Sequence, residues 1–143
     1  MSPVSVLLVD DNPLFLRIIN RFLREQHQSE VEVVGAATGG REALTLAKEL
    51  RPQVILIDLA MPDLPGLKAI PQLRSLLPEA VIIALTILDN HIYRAAARTA
   101  GADDFISKAS LHTDLLPAIH RITQTHYRMQ EARDRASPKD VGR

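Results

Sequence analysis

Three runs of this chain, Val4–Val9 (VSVLLV), Val54–Ile57 (VILI) and Val81–Leu85 (VIIAL), are near-continuous Val, Ile and Leu rather than alternating apolar and polar. Strands read this way when both faces are buried, which happens in a parallel sheet whose crossover helices cover both sides. Glu30–Ala37 (EVEVVGAA) alternates more and suits a strand nearer the sheet edge, and Asp103–Ser107 is a short fifth strand. Amphipathic helical segments lie between the runs, and that alternation is the mark of an α/β fold with a parallel sheet.

The helices have readable ends. Leu14, Ile18 and Phe22, with Phe15, Ile19 and Leu23, make a stripe at helical spacing, opened by a capping Asn12 and by Pro13 at the first helical position. Gly39–Leu50 is a second helix, ending before Pro52. Leu67–Leu77 is a third, stopped by Pro78, and the internal Pro71 predicts a late start or a distorted first turn. Asn90–Ala100 is alanine-rich with a thin apolar face, closed by Gly101. The fifth helix is expected from about Thr113, with Pro117 in its first turn and Leu115, Leu116, Ile119 and Ile122 facing inward. After Ile122 the pattern fades into a polar stretch and the tail SPKDVGR, so the division expected is a domain over 1–122 and a polar helix extension with a disordered tail or linker over 123–143.

The runs matter for chemistry because of the polar residues at their carboxyl ends. Asp10 and Asp11 stand after the first, Asp58 after the third, Thr86 after the fourth and Lys108 after the fifth. In an open parallel sheet the loops beyond the strands' carboxyl ends share one edge, where such folds place ligands. Three carboxylates, a hydroxyl and an ammonium gathered there make a divalent-metal and phosphoryl site. Taken singly, each is a weak signal: paired acids cap loops, Asp58 can be a turn residue, Thr86 a strand-end hydroxyl and Lys108 a surface lysine. Jointly, on one sheet edge, they are hard to ascribe to chance.

Totals exclude other classes. The 143 residues suffice for one domain with a real core. Seventeen basic and seventeen acidic residues cancel, leaving no footprint of a nucleic-acid or membrane-surface binder. Cysteine is absent, which removes thiolate metal sites and disulfides. The start MSPVSVLLVDD lacks the basic and apolar regions of a secretory leader, so a cytoplasmic location is expected. His27, His91, His112, His120 and His126 are scattered without metal-ligand spacing. Basic residues near the end (Arg128, Arg133, Arg135, Lys139) are interleaved with acids and read as a solvated face.

From VLLVDDNPLFLRIINRFL through VILIDLAMPDLPGLKAI and VIIALTILDN to AGADDFISKAS, the chain resembles the receiver domain of bacterial two-component response regulators. The resemblance covers about residues 4–122 and combines the acidic pair, an Asp-x-x-Met-Pro-x-x-x-Gly stretch (Asp58, Met61, Pro62, Gly66), the threonine and the lysine. The DDNP form and a lysine not followed by proline look most like the NarL/LuxR-type branch, whose members usually carry a helix-turn-helix after the receiver. The implied fold is a flavodoxin-like, doubly wound (βα)5 domain with a five-stranded parallel sheet in the order 2-1-3-4-5.

The resemblance implies that Asp58 accepts a phosphoryl group from a sensor histidine kinase. It also implies Mg2+ held by Asp11, Asp58 and the backbone carbonyl of Ala60, with Asp10 acting largely through water. Lys108 would grip the phosphoryl group and the Thr86 hydroxyl would bond it, after which Phe105 would rotate and reshape the surface of the fourth helix, fifth strand and fifth helix. On residues alone, Phe105 reads equally well as a plain core aromatic. Such a domain is a switch and not a turnover enzyme, with homodimerisation on phosphorylation one possible output. Its target would be a downstream protein, or DNA through a domain outside this chain, since no helix-turn-helix pattern fits after Ile122.

Departures from the family pattern are expected to slow the switch. Ile87, after the threonine, is bulky where a small residue is usual, and Leu88 and Ala60 cannot orient an attacking water. Three other readings compete. One is a single-domain receiver acting through protein contacts, and another a degenerate, phosphorylation-independent receiver, which should have lost an acid or the lysine. The third is a phosphohydrolase of the haloacid dehalogenase type, which should show Asp-x-Asp where this chain has Asp10-Asp11-Asn12.

Overall fold

The computed structural model describes residues 3–135, without the side chains of 125–130. Five strands, β1 (Val4–Val9), β2 (Val31–Ala37), β3 (Val54–Asp58), β4 (Val81–Thr86) and β5 (Asp104–Ser107), alternate with α1 (Pro13–Gln26), α2 (Gly40–Leu50), α3 (Gly66–Leu76), α4 (His91–Ala100) and α5 (Leu111–Arg135). All pairings are parallel and the order is β2-β1-β3-β4-β5, the expected doubly wound sheet. The alternating strand β2 is indeed at an edge. Every residue of β3 and β4 is buried, as continuous apolar runs require.

One row of the register runs Val9, Ile57, Ala84, Phe105 across four strands. Its members pack with Ala43, Ala47, Ala69, Ile70, Leu73 and Ala97 on the α2–α4 side. The alternate residues Leu8, Leu56, Ile83, Leu85 and Ile106 pack with Leu16, Ile19, Leu23, Leu115 and Ile119 on the α1/α5 side. Since side chains alternate faces along a strand, the two cores are fixed by the same register.

Local signals hold where chemistry is local. Asn12 accepts from the N–H groups of Leu14 and Phe15, capping α1 in front of Pro13. Asn90 caps α4 through Tyr93, and Gly101 ends that helix at φ 122°, a region that favours glycine. The thin face of α4 is real: Ala97 is its one fully buried residue.

Three expectations are corrected. On α1, Leu14 and Ile18 are exposed (60% and 57%) and Leu16 is buried with Ile19 and Leu23. Apolar residues cover both flanks of this helix, and the side meeting the sheet is the one that Leu16 shares with Ile19 and Leu23. Helix α3 starts at Gly66, earlier than expected, with Lys68 N–H bonded to the Pro65 carbonyl, so Pro71 sits beyond the first turn. Helix α5 starts at Leu111 after a 3-10 turn over Lys108–Ser110, so Pro117 lies in its second turn. The helix continues to Arg135, and the tail reading of SPKDVGR lies outside the described residues.

Candidate functional site

Asp10 follows Val9 and Asp58 ends β3, so the register Val9↔Ile57 brings both carboxylates to one level at the carboxyl edge. Asp11 stands beside them, exposed, while Asp10 and Asp58 are buried at 1% and 6%. Carboxylate oxygens of the three all lie within 4.8 Å of one another. Hard oxygen donors at that spacing fit a small divalent cation that keeps part of its water shell.

Lys108 arrives from the end of β5, on the far side of the sheet order. Its Nζ lies 2.5 Å from Asp10 Oδ2 and 3.7 Å from Asp58 Oδ2, and 4.3 Å from the centre of the Phe15 ring. The other oxygen of Asp10 accepts from Asn12 N–H at 2.9 Å. Asp10 therefore has both oxygens engaged. Asp58 is less well served: Oδ1 accepts from Ala60 N–H at a long 3.3 Å. Burial pushes the Asp58 carboxyl up from 3.8 to about 6, with Lys108 pulling it down, Asp10 pushing it up, and smaller opposing effects from Ala60 N–H and Asp11.

Thr86 follows Leu85, the register partner of Asp58, and is buried. Its Oγ1 accepts from Leu88 N–H at 3.0 Å. Phe105 pairs with Ala84, two residues before Thr86, so the two side chains share a sheet face. Phe105 is 5% exposed, with the Arg94 guanidinium 4.8 Å above its ring. Ile87 is 79% exposed, so most of its bulk stands in solvent rather than over the acids. No sequence signal points to the ring of Phe15 under Lys108 or to the Asn12 N–H on Asp10. Both contacts depend on how the first turn of α1 sits over the sheet edge, which no motif records.

Among the described residues, the histidines form no metal-binding group and no helix is long and apolar enough to cross a membrane. His27 and His120 instead flank Glu30, at 3.8 Å and 2.8 Å.

The fold and the acid-lined carboxyl edge define a CheY-like α/β domain. Residues 6–120 match the response regulator receiver domain, and the chain belongs to that family. It is 37% identical over 121 residues to the response regulator protein VraR of Staphylococcus saprophyticus, covering 83% of this chain and 56% of VraR. It thus spans little more than half the length of that relative. Among solved structures, the signal receiver domain of NarL from Mycobacterium tuberculosis matches with TM-score 0.79 and 32% identity, over 87% of this chain and 98% of that one. A LuxR-family two-component response regulator from Aurantimonas sp. SI85-9A1 matches with TM-score 0.77 and 30% identity, over 85% of each chain. These relatives support the NarL/LuxR-type branch.

Proposed function

We propose that this chain is a phosphorylation-controlled switch in which Asp58 is the phosphoacceptor. The observation that carries the reading is the meeting of Asp10, Asp11 and Asp58 oxygens within 4.8 Å, with Lys108 Nζ within 3.7 Å of Asp58. A histidine kinase would supply the group: the N–P bond of its phosphohistidine breaks as a P–O bond to an Asp58 carboxylate oxygen forms. Asp11, Asp58 and the Ala60 carbonyl would hold Mg2+ directly and Asp10 through water, in keeping with an Asp10 whose oxygens already serve Lys108 and Asn12. When bound, magnesium offsets repulsion between the carboxylates and the incoming phosphoryl oxygens.

Lys108 then has two possible partners. Its present preference for Asp10 leaves Asp58 the less tightly paired carboxylate, and a phosphoryl group on Asp58 would draw the ammonium across as a point charge. Thr86 would exchange its Leu88 N–H for a phosphoryl oxygen, donating its own proton to that bond. Phe105, on the same face, would respond, although its side chain is already buried before any such exchange. The output is thus a change in the balance of two conformations at α4, β5 and α5, as differential contacts demand.

This role is that of a stoichiometric acceptor in the cytoplasm, not a turnover enzyme. A chain spanning about half of VraR is in keeping with the regulatory part of a longer response regulator, and the NarL/LuxR-type likeness would give it a helix-turn-helix output reached through 123–143, with homodimerisation one route to it. Incubation with acetyl phosphate and Mg2+ should add one phosphoryl group by intact mass, and Asp58→Asn should add none. No addition to the unaltered chain, or addition that survives the substitution, overturns the reading.

The phosphorylated form is also expected to last. Leu88 and Ala60 offer no side-chain hydrogen bond to an attacking water, and the two residues after Thr86, Ile87 and Leu88, are exposed and apolar. Decay followed by mass without a phosphatase should take hours, and a lifetime of minutes refutes the expectation. Substituting Leu88→Asn should shorten it.

A further inference from the structure

Helix α2 begins without a cap of its own. Gly39, at the N-cap position, has no side chain to offer. The cap comes instead from Asp63, in the loop between Asp58 and Gly66: its two carboxylate oxygens accept from Gly40 N–H at 3.1 Å and Arg41 N–H at 3.2 Å. The N–H of Leu64, and then those of Arg41 and Gly40, hold the Asp63 carboxyl below the usual range.

The two glycines make this approach possible. A Cβ on Gly39 would lie 2.7 Å from the Asp63 carboxylate oxygens, and one on Gly40 would run into the Leu64 carbonyl. The same loop is fastened at its base. Gly66 N–H donates to the Leu59 carbonyl at 2.9 Å, and a Cβ on Gly66 would collide with the Asp58 carbonyl. Ala60 lies between these two fastenings, and its own N–H bonds Asp58. A segment held at both ends gives its backbone carbonyls few positions to sample.

We infer that Asp63 is a positioning residue for the metal site: by tying the loop to the N-terminus of α2, it holds the stretch that carries the Ala60 carbonyl in place beside Asp58. The inference rests on the Mg2+ reading above and extends it to a side chain that touches neither the metal nor the phosphoryl group. A helix cap alone would stabilise α2 and do no more. The position of this cap, supplied from the loop rather than from Gly39, is what couples the helix to the site.

Two measurements separate positioning from capping: Mg2+ affinity by calorimetric titration, and thermal stability in EDTA. Asp63→Ala should weaken Mg2+ binding roughly tenfold, the low end of what losing a partner behind a metal ligand costs. Asp63→Asn, which keeps one acceptor oxygen but faces the second N–H with an NH2 donor, should fall between the unaltered chain and Asp63→Ala. Asp63→Ala combined with Gly39→Ser restores a local cap at an extended backbone position that any residue adopts, φ −165°. That double variant should recover thermal stability while Mg2+ binding stays weak. Recovery of both, or unchanged affinity in Asp63→Ala, overturns the inference while leaving the metal reading intact. Absence of Mg2+ binding by the unaltered chain overturns both.

Discussion

Arg74→Ala should destabilise the domain by about 3 kcal/mol, as expected for a partly buried charge with several charge-assisted hydrogen bonds. The guanidinium leaves the last turn of α3 and reaches three other segments. Nε and Nη2 donate to the Gly101 carbonyl (3.2 and 2.8 Å), and Nη1 donates to the carbonyls of Pro78 and Ala80 (3.1 and 2.6 Å). Nη2 also pairs with Asp103 Oδ2 at 2.7 Å, and that same oxygen accepts from Ile82 N–H at 2.8 Å. One side chain therefore joins the end of α3, the end of α4 and the start of both β4 and β5. Its side chain is a quarter exposed, which tempers the charge term, so the carbonyls of Ala80 and Gly101 carry much of the cost. Lysine should rescue little, because one ammonium cannot serve four acceptors spread around a planar fork. Urea denaturation of the isolated chain measures the loss, with a fall in Tm of roughly 10 °C beside it. A loss below about 1 kcal/mol would mean that water replaces the guanidinium at these carbonyls.

Nothing in the sequence marks Arg74 for that role; in QLRSLLPEA it reads as a helix-surface arginine. The contrast shows which information is local. Strand runs and caps depend on neighbours in the chain, so β1, β3, β4 and the Asn12 cap were legible. So was the strand order, given the family resemblance. Asp10, Asp58 and Lys108 were legible because parallel topology converts strand ends into spatial neighbours. The choice of Lys108 between two carboxylates was not legible, since a difference of about an ångström is set by Phe15 and Asn12 from another element. Asp63 is the same kind of case: within the Asp-x-x-Met-Pro stretch it looks like a loop acid, and only the packing of two glycines reveals its partner. The start of α5 moved two residues because Leu111 is buried against the sheet and draws the preceding turn into helix.

Asp58, the proposed phosphoacceptor, should be a stability liability in the metal-free protein, so Asp58→Asn is expected to stabilise it. The native carboxyl has its pKa raised from 3.8 to about 6, so between these values the native state holds a proton that the unfolded state has released. Stability therefore falls as pH rises through that window and stays low above it. That shift corresponds to about 3 kcal/mol at neutral pH, and because the Lys108 attraction is already part of it, the gain expected on substitution is about 3 kcal/mol. Asparagine keeps an acceptor for Ala60 N–H and carries no charge to desolvate. Urea titrations in EDTA should show the variant more stable by that amount at pH 7.5 and equal to the parent below about pH 3, where Asp58 is protonated in both states. A variant no more stable than the parent at pH 7.5 would show that Lys108 fully compensates the buried charge. Adding Mg2+ should narrow the difference. The parent gains about 1.4 kcal/mol at ten times the dissociation constant, while the variant, short of one carboxylate, gains less. The charge that makes Asp58 costly without a cation is the same one that the proposed metal and phosphoryl roles would use, so stabilising the fold at its expense would remove the proposed switch.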